Sequence, residues 1–510
     1  MNYARQFAQH AAITVITTVL GGALFYVLRI VLYKHLSQED YGLFYVIFSF
    51  VTIVQTLITF GFDPGLVPFI TQFREEKDPD AIKSAAIGSL VPQAAITLSV
   101  VVLFLVLPPL LAPWAAEISQ APAFVSALAH PATPGLFRVL ALHAVFVLLF
   151  KSAQNVMLGL QAIAWRNAAD LARAVCCLGF AVTMLQMGWG LRATAVAYTV
   201  GALAEVIVLG AAFFLSFPQI VRARFLWRPE LVRRMFDAGK WLSVAFGGIV
   251  LFSSVDTVVI SIMRKDLSDA AAYQVALPTI TIFYSLMIAA GVSLLPMVRT
   301  LWLRGEHAYL VASIERLYAA AIAVMVPAGV LLVFGSDVLM SVLFGANILN
   351  ASDAFNILAV GGVVFFLAYV NLHILAGIES PRAAGVAVIG GLLLDVALSL
   401  PLTYWLGIRG TAIAGVCGYG LVLGVSFEAI RRSLRVRFPV RIALAIIGIG
   451  AVIALAAWGC RIQGWIVVDR PILSAICGVL FFAVSLLFVD FCGLIDFRNL
   501  IRTIAGSTKK

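Results

Sequence analysis

The sequence predicts an all-α polytopic membrane protein of about fourteen transmembrane helices, built as two six-helix lobes in parallel pseudo-repeat plus two extra C-terminal helices. Three observations predict it. Of 510 residues, 62% are hydrophobic and 12% charged, the charged share being about half that of a soluble domain. Apolar stretches long enough to cross a bilayer recur from end to end. Three short markers then repeat in the same order at nearly one offset. The composition, with a mean hydropathy of +1.03, excludes a soluble enzyme, a secreted disulfide scaffold and a disordered chain.

Taken in order, the spans lie near 12–34, 42–72, 82–113, 134–160, 168–188, 193–218, 240–263, 271–299, 309–334, 353–377, 384–406, 411–430, 442–460 and 471–492. The second, third and eighth exceed a perpendicular crossing, so they are expected to tilt, kink at proline or protrude. The first stretch is span-length and lacks a small-residue cleavage site, which reads as a retained helix rather than a cleaved signal. With the N-terminus inside, the inside segments hold 23 Lys and Arg, the outside segments seven, and five remain within spans. Basic residues accumulate in cytoplasmic loops, so both termini are expected in the cytoplasm and the chain in the inner membrane. The same clustering accounts for the net charge of +10 without nucleic acid. The six cysteines lie within or beside apolar stretches with no CxxC pair, as packing residues do.

The repeat is carried by three pairs of segments. "LVPFITQF" at 66–73 matches "LLPMVRTL" at 294–301, an offset of 228. "GG" at 21–22 followed by "LSQEDY" at 36–41 matches "GG" at 247–248 followed by "LSDAAAY" at 267–273. "GLRATAVA" at 190–197 matches "GIRGTAIA" at 407–414 with five of eight positions identical. Six spans per copy is an even number, so both copies enter from the same side and are parallel. The expected organisation is an N-lobe at 1–218, a cytoplasmic basic linker at 219–240, a C-lobe at 241–430, and spans 13 and 14 with a tail at 431–510. The linker carries six basic residues with apolar ones interleaved. It reads as an interfacial amphipathic helix on the anionic inner leaflet, or as a plain positive-inside loop.

No catalytic motif, metal-ligand set or cofactor site is legible. Walker A and HExxH sequences are missing, and the outer loops near 114–133 and 335–352 are short. Asp337 and Asp353 read as solvated turn residues. His143 and His373 stand alone in spans, where packing or a helix–helix hydrogen bond is expected. The chain is therefore expected to be a transporter rather than an enzyme.

The informative residues are the ionisable ones inside spans, since a charge in hydrocarbon costs roughly 2.5–3.5 kcal/mol even on the lenient insertion scale. Arg29, late in span 1, and Asp256, late in span 7, have opposite signs at similar depth, which suggests an outer gate closed by an ion pair. Snorkelling of Arg29 to the interface is the alternative. Lys151 in span 4 and Asp63 in span 2 are matched in depth. They form either a permanent structural pair or one that opens, freeing Lys151 to meet an anionic head group. Arg173 and Arg316 sit nearer cytoplasmic ends, and Arg138 near an outer one. Glu205 and Asp395 lie near the midplane. Pro64 and Pro68 mark a kink in span 2, and Gly291 and Pro296 mark its equivalent in span 8, as hinges.

These residues also carry a resemblance. "YKHLSQEDYGLFYVIFSFVTIVQTLITFGFDPGLVPFI" at 33–70 resembles the start of an oligosaccharide (polysaccharide-unit) flippase. "SVDTVVISIMRKDLSDAAAYQVA" at 254–276 is similar to that family's seventh span and following loop, and "LLPMVRTL", "GIESPRAAG" at 377–385 and "GIRGTAIAG" at 407–415 continue it. The family belongs to the superfamily of multidrug, oligosaccharidyl-lipid and polysaccharide exporters. The resemblance implies two lobes around a central cavity and the flipping of a polyprenyl-diphosphate-linked oligosaccharide from the inner to the outer leaflet. It implies that Arg29, and less strongly Lys151, meet the diphosphate, and that Asp256 is the acidic residue of span 7. Arg173, Arg316 and Asp395 are further cavity candidates. Asp395 stands where the family often has Asn, a departure that counts against a cation role there. Implied partners are the lipid-linked glycan, membrane lipids, and polysaccharide polymerase and glycosyltransferases. A cation-coupled multidrug or metabolite antiporter, a lipid II flippase, and a membrane glycosyltransferase or ligase are the alternatives.

Overall fold

The computed structural model describes residues 3–462 except 119, 346, 347 and 349, and beyond 462 only residues 478, 480, 482, 483 and 487. Apart from those five residues, the fourteenth predicted span, 471–492, and the C-terminal tail therefore lie outside the described residues. The elements run α1 (Tyr3–His35), α2 (Gln38–Ile58), α3 (Asp63–Glu75), α4 (Pro79–Ala116), α5 (Ala123–Ala129), α6 (Thr133–Gly159), α7 (Ile163–Gln186) and α8 (Leu191–Ser216). They continue through α9 (Pro218–Arg222), α10 (Pro229–Met263), α11 (Leu267–Leu303), α12 (His307–Phe344), α13 (Ala351–Gly377), α14 (Pro381–Leu406), α15 (Ile408–Leu434) and α16 (Val440–Ile462). Among the described residues, twelve helices are long and apolar enough to cross a membrane. The protein is an all-helical multi-pass membrane protein.

Local chemistry sets the boundaries. Ser37 caps α2 by accepting the Asp40 N–H at 3.0 Å, and Asp78 caps α4 by accepting that of Ala81 at 2.9 Å. The α7–α8 and α14–α15 corners place Gly190 and Gly407 at φ +51° and +61°, a region glycine enters without a Cβ penalty. These are the first residues of the strongest repeated marker, so the shared glycine has a backbone reason.

The second predicted span is broken rather than merely bent. Residues 59–62 form a turn between α2 and α3, with Gly61 at φ +81° and Pro64 in the first turn of α3. Proline lacks an N–H, so it starts a helix more readily than it continues one. The Gly61 N–H, freed from the helical ladder, donates to Ser243 Oγ on α10 at 2.8 Å. The other copy has no such break: α11 stays helical through Gly291 and Pro296.

The linker also differs from expectation. It is not one amphipathic helix. A short α9 is followed by an extended segment at 224–228, and α10 then begins at Pro229. Side chains of α4 hold this strap: Lys83 Nζ donates to Val221 O and Ala223 O at 2.7 and 2.9 Å, and Asp80 and Ser84 accept the N–H groups of Arg224 and Leu226. Backbone groups given partners by α4 have no need of a helix.

By packing, the chain divides into two compact units. One comprises Ala12–Gln274 with Ala384–Thr411. Its core is the crossing of α10 over α2 and α3. Gly65 and Gly239 meet there backbone to backbone, since a Cβ on Gly239 would strike Gly61 O and the Gly65 backbone. Leu66, Ile70, Ile82, Val156 and Met235 pack around the same end. Gly239→Ala is expected to cost about 1–3 kcal/mol through overpacking. Gly179→Ala on α7, where a Cβ meets open space, should be neutral or stabilising by up to about 1 kcal/mol. Thermal unfolding in detergent checks the pair.

The other unit comprises Met1–Ala11, Val275–Ala383 and Ala412–Lys510. In it α16 seats on α12, with Ala457 against Val338 and Phe334. A buried chain of hydrogen bonds runs from the Tyr318 hydroxyl to Asn371 Oδ1 and from Asn371 Nδ2 to Ser426 Oγ at 3.0 Å, tying α12, α13 and α15.

Candidate functional site

Nearly all the ionisable residues singled out in the spans fall in the first of these units, in three neighbourhoods. The first surrounds Arg29 of α1. Its Nη1 donates to Gln274 O at 3.2 Å and to Gln274 Oε1 at 3.0 Å, and its guanidinium lies 4.4 Å from the centre of the Tyr45 ring. Gln274 Nε2 in turn donates to Thr257 Oγ1 at 2.6 Å. Arg29 therefore reaches α10 through an amide and not through an ion pair with Asp256. The partner on α10 is Thr257, one residue along from Asp256, reached through Gln274 of α11. A planar guanidinium with two acceptors at one end and an aromatic face at the other is well fixed.

The second neighbourhood is the carboxyl pair Asp256 of α10 and Asp395 of α14. Both are buried, at 4% and 0% exposure, and their carboxyl groups lie against each other. Tyr273 Oη donates to Asp256 Oδ2, and Ser399 Oγ donates to Asp395 Oδ1 at 3.2 Å. The remaining oxygens, Asp256 Oδ1 and Asp395 Oδ2, have no hydrogen-bond partner among the described residues. Carboxylates in such contact repel unless a proton or a cation lies between them. The sequence reading set Asp256 late in its span, level with Arg29, and Asp395 near the midplane, and did not pair them.

The third neighbourhood lies among α3, α6, α7 and α8. Arg173 Nε is 2.8 Å from Glu205 Oε2, an ion pair without hydrogen-bond alignment, and Arg173 Nη2 is 3.9 Å from Asp170 Oδ1. Its guanidinium also lies 4.8 Å from the Phe25 ring. Gln154 Nε2 donates to both Asp170 Oδ1, at 2.7 Å, and Glu205 Oε1. One turn before Gln154, Lys151 feels the charges of Asp63, Arg173 and Glu205. Among the described residues no carboxylate stands at ion-pair distance from its ammonium. Asp63 stands at the start of α3, and its N–H donates to Thr59 O at 3.4 Å. The expected Lys151–Asp63 pair is thus a near neighbourhood without a direct contact.

Pro64 opens α3 and Pro68 lies within it, both at the α2–α3 break. Arg316 belongs to the other unit, exposed on α12, as do Gly291 and Pro296 on α11. Sequence reasoning that weighed only ionisable residues missed Gln154, Gln274, Tyr45 and Tyr273. The signal was available: Gln154 is one turn from Lys151, and Gln274 is a polar residue inside an apolar helix, which lipid does not tolerate without a partner.

Comparison with known proteins places this geometry. A family described as polysaccharide biosynthesis protein matches residues 7–302. An uncharacterized membrane protein of Methanocaldococcus jannaschii is 23% identical over 499 residues, covering 96% of each chain. Among solved structures, the lipid II flippase MurJ in an inward closed conformation superposes with a TM-score of 0.72 at 15% identity, over 96% of this chain and 99% of its own. A multidrug resistance MATE family transporter of the MOP superfamily, inward-facing, gives 0.68 at 15% identity, over 83% and 98%. At these identities the two structures share the fold.

Proposed function

The chain belongs to the polysaccharide biosynthesis protein family and has a membrane transporter's fold, and from that premise we propose that it flips a polyprenyl-diphosphate-linked oligosaccharide from the inner to the outer leaflet of the cytoplasmic membrane, by alternating access, for cell-surface polysaccharide assembly. The observation that carries this reading is Lys151. It is an ammonium inside a membrane-crossing helix with no carboxylate at ion-pair distance among the described residues. A cation in that setting needs an anion, and the diphosphate is one. Arg29 becomes available to the same group only after it leaves Gln274. Asp63 and Asp256 flank the two cations, and the break at Pro64 and Pro68 gives α3 a joint about which to move.

A glycan cannot cross hydrocarbon unaided, because its hydroxyls would lose their hydrogen bonds. A wet path through the protein accepts the head group while the polyprenyl tail stays in lipid. Moving two negative charges outward runs with an inside-negative potential, and at 100 mV it releases about 4–5 kcal/mol, enough to give direction without ATP. With both termini in the cytoplasm, the basic loops lie where the lipid-linked glycan is made, beside glycosyltransferases, and a polymerase takes the product on the far side.

Native mass spectrometry of gently purified protein is expected to show a bound polyprenyl-diphosphate glycan, depleted in Lys151→Met and Arg29→Ala. Bulk phospholipid alone in every sample counts against the proposal.

A second reading, a cation-coupled antiporter, has one observation in its favour: the Asp256–Asp395 pair with two unbonded oxygens. The two readings part on Asp395→Asn. A potential-driven flippase should change rate by less than about threefold, under 1 kcal/mol in barrier. Loss of sodium- or proton-driven dye efflux in that variant would favour the antiporter.

A further inference from the structure

The corner between α15 and α16 holds a recess of about 380 Å³ lined by Arg431, Arg432, Arg435, Val436 and Arg437. Its construction is rigid. Val436 is 1% exposed, and the Phe438 ring packs 6.0 Å from Tyr318 and 5.7 Å from Phe427. The Arg437 N–H donates to Glu315 Oε1 at 2.8 Å. Val436 is buried and Phe438 partly so, while Arg435 and Arg437 are both exposed.

Arg435 follows the last turn of α15 at φ +56°. Glycine usually holds that position, because any side chain there is strained. Arg431 and Arg432 share one carboxylate, each donating from Nε to Glu428 at 2.8 Å. The guanidiniums of Arg435 and Arg437 have no carboxylate partner among the described residues. Four arginines thus face two carboxylates, Glu428 and Glu315, and the recess keeps an excess of two positive charges. Residues 435–439 join two candidate membrane-crossing helices, so the recess sits at the membrane surface.

We propose that this recess binds the diphosphate of a membrane lipid, as a loading site separate from Lys151. Guanidinium forks match phosphate oxygens two at a time, and a diphosphate supplies roughly the two negative charges that the recess lacks. A phosphodiester lipid such as phosphatidylglycerol offers only one. The inference rests on the orientation proposed above, which puts the α15–α16 corner on the cytoplasmic face, where the lipid-linked glycan arrives.

The test compares full-length protein in detergent with Arg435→Gly/Arg437→Ser, in wild-type and Lys151→Met backgrounds. Probes are farnesyl diphosphate, inorganic pyrophosphate and phosphatidylglycerol. Glycine relieves the backbone at 435, so the variant should unfold no earlier than wild type. Farnesyl diphosphate should bind about tenfold or more weakly to the variant in both backgrounds, with phosphatidylglycerol unchanged. A parallel loss for pyrophosphate supports the site and assigns recognition to the phosphates alone. A loss confined to farnesyl diphosphate supports it and adds the lipid tail. Equal diphosphate binding by variant and parent overturns the proposal, and so does an equal loss of phosphatidylglycerol, which would make the arginines a general anchor to the anionic leaflet. Failure of the flippase reading would appear separately, as no leaflet exchange by wild type while recess binding persists.

Discussion

Lys151→Met should slow flipping of a polyprenyl-diphosphate glycan by about 10- to 100-fold while the protein stays folded. Hydrogen bonds to charged groups contribute roughly 1.5–3 kcal/mol, and this one is made in a medium that offers no water in exchange. Methionine keeps the length and apolar stem of lysine, so packing against α6 neighbours is preserved. The ammonium has no carboxylate at ion-pair distance among the described residues, so its loss removes little from the resting fold. Asp63 loses a nearby positive charge. The signature is a fall in transport with a nearly unchanged melting curve. A variant that flips at the parental rate would remove Lys151 from the path.

Arg173→Met should show the reverse pattern. Here the cation is fully used, set between Glu205 and Asp170 and against the Phe25 ring. Glu205 is 0% exposed. Removing one partner of such a pair leaves an uncompensated buried charge and costs about 3–5 kcal/mol. Gln154 still donates to Glu205 but carries no charge. The expected result is early unfolding of the α6–α7–α8 bundle in detergent. Restoring a neutral site with Arg173→Met/Glu205→Gln should recover much of the loss, which a purely steric defect would not.

The spans were legible because lipid imposes a length and a polarity on every helix that crosses it. The prediction of 134–160 and the observed α6, Thr133–Gly159, agree because apolar length fixes both. Pro64 and Gly65 marked a disturbed span 2, and Gly61 three residues earlier carried the reason for a full break. The linker misled because its basic and apolar residues suit an interfacial helix. What decides its shape is distant: Lys83, Asp80 and Ser84 on α4 satisfy its backbone.

Site residues were legible one at a time and not in their partners. Depth along a helix is one coordinate, and it is the one by which the sequence reading set Arg29 level with Asp256. Rotation about the helix axis is the second coordinate, and short apolar spans with few polar residues do not reveal it. Gln274 therefore came between Arg29 and α10 unseen, and Asp395 was left alone at midplane when its carboxyl faces Asp256. Gln154 lies one turn from Lys151 on the same helix, but its partners Asp170 and Glu205 stand on α7 and α8, which that spacing does not reveal.

The central claim is that a diphosphate-linked glycan changes leaflet through this protein, guided by cations held inside the membrane. The most direct measurement reconstitutes the purified chain in vesicles with a fluorescent polyprenyl-diphosphate oligosaccharide in the inner leaflet and follows its exposure to an impermeant quencher. Exposure that requires the protein, accelerates under an inside-negative potential and collapses in Lys151→Met is the predicted result. Exchange no faster than in protein-free vesicles, or exchange indifferent to both potential and Lys151, would contradict it.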